Sequence, residues 1–137
     1  MPTILYAEDD VEHRTMMRVI VKTANITLIE AGDGAEALYQ IRSQRPDLVL
    51  LDLFMPKMDG FGVMEAVQAD PNLKYIPIIV LSAWPTGDNR ERARQAGAVD
   101  FVSKPYDPVQ LIGLIQKNLP RRPGLGRQLH ELGIGPE

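Results

Sequence analysis

The sequence contains no cysteine, which excludes disulfide bridges, thiolate metal sites and thiol nucleophiles together. Aromatic residues are few, at 6%, in a composition otherwise ordinary for a globular protein, 45% hydrophobic and 24% charged. The formal net charge of -3 offers no general electrostatic attraction to nucleic acid or to an anionic membrane. No apolar run approaches the length of a membrane span. The first apolar stretch, Ile4 to Ala7, runs straight into Glu8, Asp9 and Asp10, unlike a signal peptide, so the expected location is cytoplasmic. No glycine-rich phosphate loop with a following Lys-Ser/Thr is present, which argues against nucleotide hydrolysis. His13 and His130 lie far apart and lack metal-ligand spacing, and His13 reads as a surface residue of the first helix.

What is present is an alternation. Five short apolar runs, Thr3–Ala7, Thr27–Glu30, Leu48–Leu51, Ile78–Leu81 and Val99–Val102, are rich in Ile, Leu or Val and read as buried strands. Helix-length stretches lie between them. Val11–Thr23 carries Met16, Met17, Ile20 and Val21, and Ala35–Arg42 carries Ala37, Leu38 and Ile41 after the Gly32-Asp33-Gly34 turn. Phe61–Gln68 presents Val63, Met64 and Val67. Asp88–Gln95 is polar with a thin inward face of Ala93 and Ala96, then Ala98 beyond Gly97, which is placed to end the helix. Pro108–Asn118 carries Val109, Leu111, Ile112, Leu114 and Ile115 and stops at Pro120. Five strand–helix pairs predict an α/β fold, a doubly wound five-stranded parallel sheet with five helices on both faces. Residues 1–119 are expected to form one domain. Residues 120–137 are expected to be a short C-terminal tail with no output domain.

Ligands of such sheets bind outside the carboxyl ends of the strands. The first run ends in Glu8-Asp9-Asp10, the third in Asp52 and the fourth in Ser82, and Lys104-Pro105 follows the fifth. Carboxylates crowded at one edge repel one another, and a divalent cation with hard oxygen ligands, Mg²⁺ above all, relieves the conflict. A carboxylate can attack phosphorus to form an aspartyl phosphate. A metal, a Lys ammonium and a Ser hydroxyl around it would stabilise the transferring group. Each residue also has a plainer role: Asp9 or Asp10 as a helix cap, Ser82 as a strand end, Lys104 as a solvated loop lysine. Asp52 is harder to dismiss, because a carboxylate that closes a buried strand needs a partner.

Four segments in order resemble the receiver family of two-component response regulators: Ile4–Asp10, Asp47–Gly60, Pro77–Ala83 and Gly97–Pro105. The resemblance covers roughly residues 3–119 and implies the flavodoxin-like, CheY-like fold. It implies Asp52 as phospho-acceptor, with Mg²⁺ (or Mn²⁺) held by Asp9, Asp52, the Phe54 backbone carbonyl and, through water, Glu8. Asp10 would stand behind the ligands, and Lys104 would pair with the phosphoryl oxygens. Pro105 would follow a cis peptide bond. Ser82 would move towards the phosphoryl group with Phe101 turning inward behind it, remodelling the fourth helix, fifth strand and fifth helix. The implied partners are a sensor histidine kinase or histidine phosphotransfer protein and an unidentified downstream protein. That surface, or the tail, is where two copies would pair. Neither DNA nor a membrane is an expected partner, and the domain would be a switch rather than an enzyme.

Some residues depart from the family pattern. Glu8 stands where Asp is commoner, which should preserve metal binding, and Phe101 lacks the hydroxyl of a Tyr. Phe54 and Trp84 border the implied phosphoryl site without a group that could position an attacking water, so a long-lived phosphoaspartate is expected. Both aromatics would equally serve packing or a partner surface. In the tail, Arg121, Arg122 and Arg127 read as solvated, while Leu125, Leu129, Leu132 and Ile134 could dock it. Two other functions compete: an aspartate phosphohydrolase, which would want a second Asp at position 54, and an adaptor without phosphoryl chemistry, which would not need Asp9, Asp52, Ser82 and Lys104 together. Onward relay of phosphate and direct target binding are not separated by the sequence.

Overall fold

The computed structural model describes residues 1–119; the tail expectations, from Arg121 to Ile134, lie outside the described residues. The chain alternates β1 (Thr3–Ala7), α1 (Val11–Lys22), β2 (Thr27–Ala31), α2 (Gly34–Gln44), β3 (Leu48–Asp52), α3 (Gly60–Ala69), β4 (Ile78–Ser82), α4 (Gly87–Gln95), β5 (Asp100–Ser103) and α5 (Pro108–Asn118). The strands form one sheet in the order β2-β1-β3-β4-β5, and every pairing is parallel. The order reverses between β1 and β3, where a crevice opens at the carboxyl edge. No described helix is long and apolar enough to cross a membrane.

Each helix opens on a short polar side chain that accepts backbone N–H groups. Asp10 takes those of Glu12 (2.8 Å) and His13 (3.2 Å), so Asp10, not Asp9, caps α1. Asp33, Asp59, Thr86 and Asp107 do the same for α2, α3, α4 and α5. Two cores flank the sheet. α2, α3 and α4 cover one face, with Leu5, Val49, Leu51, Met64 and Val67 among its buried residues; α1 and α5 cover the other, with Ile4, Leu50, Met17, Val21 and Ile115. Burying each such side chain contributes roughly 1.5–3 kcal/mol before the entropy of ordering it.

Several sequence expectations shift. Met16 and Val109, expected on core faces, are 55% and 80% exposed, because Met17, Val21, Leu111 and Ile115 take the inward positions of their helices. β5 begins at Asp100 rather than Val99: the Val99 side chain is exposed although its amide already bonds the Ile78 carbonyl at 2.8 Å. β3 and β4 are buried throughout, but the edge strands β2 and β5 are only partly covered, unlike the full double cover expected. α4 buries Ala93 alone, with Ala96 and Ala98 partly buried against the core. Gly97 follows it at φ 106°, a conformation that favours glycine.

Candidate functional site

β3 ends by carrying Asp52 to the carboxyl edge, and α3 begins hard against it. The Gly60 amide bonds the Leu53 carbonyl at 2.7 Å. A Cβ at Gly60 would lie 2.5 Å from the Asp52 carbonyl oxygen, so only glycine allows this approach. The Asp52 side chain is 12% exposed, and its Oδ1 accepts from the Phe54 amide at 3.4 Å. Tyr6 on the neighbouring β1 and Glu8 just beyond its end are buried. The Arg14 guanidinium of α1 holds the Glu8 carbonyl at 2.6 Å.

Glu8 is the hub. Its Oε1 accepts from the Tyr6 hydroxyl (3.3 Å), stands 3.0 Å from His13 Nδ1 and pairs with the Lys104 ammonium. The same ammonium is 3.8 Å from Asp52 Oδ2. Carboxylate oxygens of Glu8, Asp9 and Asp52 all lie within 4.8 Å of one another. These residues line a cleft of about 230 Å³ with Asp10, His13, Phe54, Ala83, Trp84 and Lys104. A mainly apolar pocket of about 340 Å³ adjoins it, sharing His13, Ala83 and Lys104.

The electrostatics follow from burial and crowding. Burial opposes ionisation of Glu8, but its bonds to Lys104 and His13 outweigh it and hold the carboxyl down to about 2. Asp52 has no such compensation: burial and then the Glu8 charge push it up to about 7, against the weaker pull of Lys104. Asp9, at the open side of the cleft, is raised by partial burial and by Glu8. Burial and Glu8 also raise the Tyr6 phenol, so it stays a neutral donor. Three carboxylates face one ammonium, an excess of negative charge that a divalent cation fits, and the donors are the hard oxygens Mg²⁺ prefers.

Asp9, Asp52, Glu8, Lys104, Phe54 and Trp84 thus come together, with Asp10 at the rim as the cap of α1. Lys104 is no solvated loop residue, its side chain being 11% exposed, and the Lys104–Pro105 peptide bond is cis. Ser82 is fully buried and lies behind the cleft lining: its Oγ accepts from the Trp84 amide at 3.0 Å, and its carbonyl accepts from the Lys104 amide at 2.8 Å. Phe101 is half-buried against the core with the Arg90 guanidinium 4.8 Å above its ring. Sequence reasoning passed over His13, which it placed on the surface. The ring is indeed half exposed, yet it reaches Glu8. Its position three residues after the Asp10 cap, in the first turn of the helix that follows β1, was the signal, because that turn stands beside the Glu8 at the strand end.

A parallel sheet with three carboxylates and a lysine gathered at the β1/β3 switch point defines a flavodoxin-like α/β domain. Residues 4–116 match the response regulator receiver domain family, and the chain belongs to that family. It is 33% identical to the DNA-binding response regulator MtrA of Mycobacterium tuberculosis, over 86% of this chain and 50% of that protein, and so spans about half of that relative's length. A putative response regulator from Chloroflexus aurantiacus superposes with a TM-score of 0.83 at 30% identity, covering 88% of this chain and 98% of that one. The receiver domain of the sensor histidine kinase PA1611 from Pseudomonas aeruginosa gives 0.79 at 28% identity, covering 85% and 95%; that structure has a magnesium ion coordinated in the active site cleft.

Proposed function

We propose that this chain is a phosphorylation-driven switch in which Asp52 accepts a phosphoryl group from a phosphohistidine on a sensor histidine kinase or a phosphotransfer protein. The observation that carries the reading is the buried Asp52 carboxylate with Glu8 and Asp9 oxygens within 4.8 Å and the Lys104 ammonium at 3.8 Å. An Asp52 oxygen attacks phosphorus while the donor's phosphorus–nitrogen bond breaks, and the donor imidazole regains a proton from solvent. Asp9, Asp52 and the Phe54 carbonyl would hold Mg²⁺, with Glu8 reaching it through water. Bound there, the ion would favour the ionised form of Asp52 and offset the charge on the phosphoryl oxygens. Lys104 supplies a second positive charge. Ser82, tied to the Trp84 amide in this structure, is the hydroxyl that would turn to the phosphoryl group, and Phe101 the side chain that would follow it.

The output is protein–protein recognition by a cytoplasmic domain, without turnover of a substrate. The surface of α4, β5 and α5 is where a downstream partner or a second copy would read the state. Intact-protein mass after incubation with acetyl phosphate, with and without Mg²⁺, tests the proposal. A single metal-dependent phosphoryl adduct is expected, absent from Asp52→Asn. No adduct in the folded wild type would return the chain to the adaptor reading.

A further inference from the structure

We infer that His13 is a positioning residue of this site: it holds Glu8 so that Lys104 can leave that carboxylate for a phosphoryl group on Asp52. The inference rests on the proposed phosphotransfer to Asp52. In the structure the Lys104 ammonium is committed to Glu8 Oε1 and stands 3.8 Å from Asp52 Oδ2, too far for a hydrogen bond. To reach phosphoryl oxygens it has to give up at least part of its bond to Glu8. A buried carboxylate oxygen that loses a charge-assisted bond without replacement resists that movement.

Two other donors meet the same oxygen, and they differ. The Tyr6 hydroxyl is at 3.3 Å. His13 Nδ1 is closer, at 3.0 Å. At that distance the carboxylate oxygen is the acceptor, so His13 presents Nδ1–H to it as donor. The 3.5 Å separation of His13 Nδ1 from Lys104 Nζ is that of two donors converging on one oxygen. The cap positions the ring: Asp10 accepts the His13 backbone amide at 3.2 Å, which turns the first residues of α1 back over the end of β1. When Lys104 swings to Asp52, His13 and Tyr6 keep Glu8 Oε1 bonded. His13 also belongs to the wall between the reactive cleft and the apolar pocket beside it, and its half-exposed ring can be replaced without disturbing the core.

The test compares His13→Ala with His13→Asn, whose amide nitrogen sits as many bonds from Cβ as Nδ1 does. Adduct formation from acetyl phosphate is timed at saturating Mg²⁺. Mg²⁺ affinity is read from the fluorescence of Trp84, the single tryptophan, which lines the cleft. His13→Ala is expected to slow phosphorylation about tenfold, equivalent to ~1.4 kcal/mol, with the Mg²⁺ Kd within about twofold of wild type. His13→Asn should recover most of the rate. A wild-type rate in His13→Ala at saturating Mg²⁺ overturns the inference, as does a Mg²⁺ Kd raised well beyond twofold, which would place His13 with the metal instead of the lysine. A wild type that forms no adduct overturns the phospho-acceptor reading beneath it, whereas an adduct formed equally fast without His13 removes only the role of His13.

Discussion

α3 and α4 pack on the same face of the sheet and are held there by opposite means. α3 buries Gly60, Phe61, Val63, Met64 and Val67; α4 buries only Ala93. What ties α4 down lies mostly at its surface: the Thr86 cap on the Asn89 amide (3.1 Å), the Arg90 bond to Ser103 Oγ (2.8 Å), and the Arg90 and Arg92 guanidinium groups over Phe101 and Phe61. α3 is therefore a wall, and its first residue pins the backbone of Asp52 and Leu53. α4 is a lightly anchored helix, joined through Trp84 to the Ser82 hydroxyl. One helix fixes the backbone beside the cleft and the other can shift at small cost.

The sharpest way to break this contrast is to cut each helix at its anchor. Met64 is fully buried, and Met64→Ala is expected to cost about 2–5 kcal/mol in urea unfolding. Arg92→Ala removes a partly solvated cation–π contact and should cost only about 0.5–1 kcal/mol. Comparable losses from the two substitutions would mean that α4 is as firmly built as α3.

A smaller effect probes the carboxylate that α3 holds in place. Burial and the Glu8 charge raise Asp52 to about 7, from an ordinary value of 3.8. Between these values the metal-free folded protein keeps a proton that the unfolded chain has released. Stability contributed by Asp52 is thus full below 3.8 and is lost as pH rises through about 7. In EDTA, Asp52→Asn should therefore be more stable than wild type by about 1–3 kcal/mol at pH 8, and by little at pH 4. Glu8 has the opposite sign: held down to about 2, its contribution is present above 4.5 and is lost only as pH falls through 2. Mg²⁺ should narrow the difference at pH 8. An Asp52→Asn advantage that is flat from pH 4 to 8 would contradict the desolvated-carboxylate picture.

How much of this was legible in the sequence depends on what each residue answers to. The five strands and five helices follow from periodicity and from turn residues such as Gly32, Asp33 and Gly97, which act within a few residues of themselves, while the caps Asp59 and Asp107 emerge in the structure. Asp52, Glu8 and Lys104 were legible because parallel strands deliver their ends to one edge. Helix faces were less so: Met16 and Met17 are equally apolar, and only the crossing of α1 over the sheet decides that Met17 points in. The alignment of β5 depends on the Ile79–Asp100 pairing with β4, which no local pattern encodes. His13 was missed because its partner is a strand end brought under the helix by the cap, and a lone histidine on a polar face looks like any solvated one.

The smallest effects lie in the two loops that lead into these helices. Phe54 precedes α3 and Trp84 precedes α4; both line the cleft, at 46% and 64% exposure, and neither can orient water with an amide or carboxylate. A phosphoryl group on Asp52, as proposed, is accordingly expected to be long-lived, and Phe54→Asn or Trp84→Glu should shorten its life, read as the decay of the phosphoryl adduct by mass. The two substitutions should differ. Phe54 follows Leu53, whose carbonyl the Gly60 amide holds, and its own amide is 3.4 Å from Asp52 Oδ1, so a group placed there is expected to keep a water in line with a phosphoryl group on Asp52. Trp84 stands on a segment held chiefly by the Ser82 hydroxyl and the Asn89 side chain (2.9 Å to the Trp84 carbonyl), and a looser group orients water less well. Phe54→Asn should accelerate decay about tenfold and Trp84→Glu about threefold. Equal acceleration would show that the two loops are equally ordered around the phosphoryl group, and unchanged decay in both would leave the aromatics with a packing or partner-binding role.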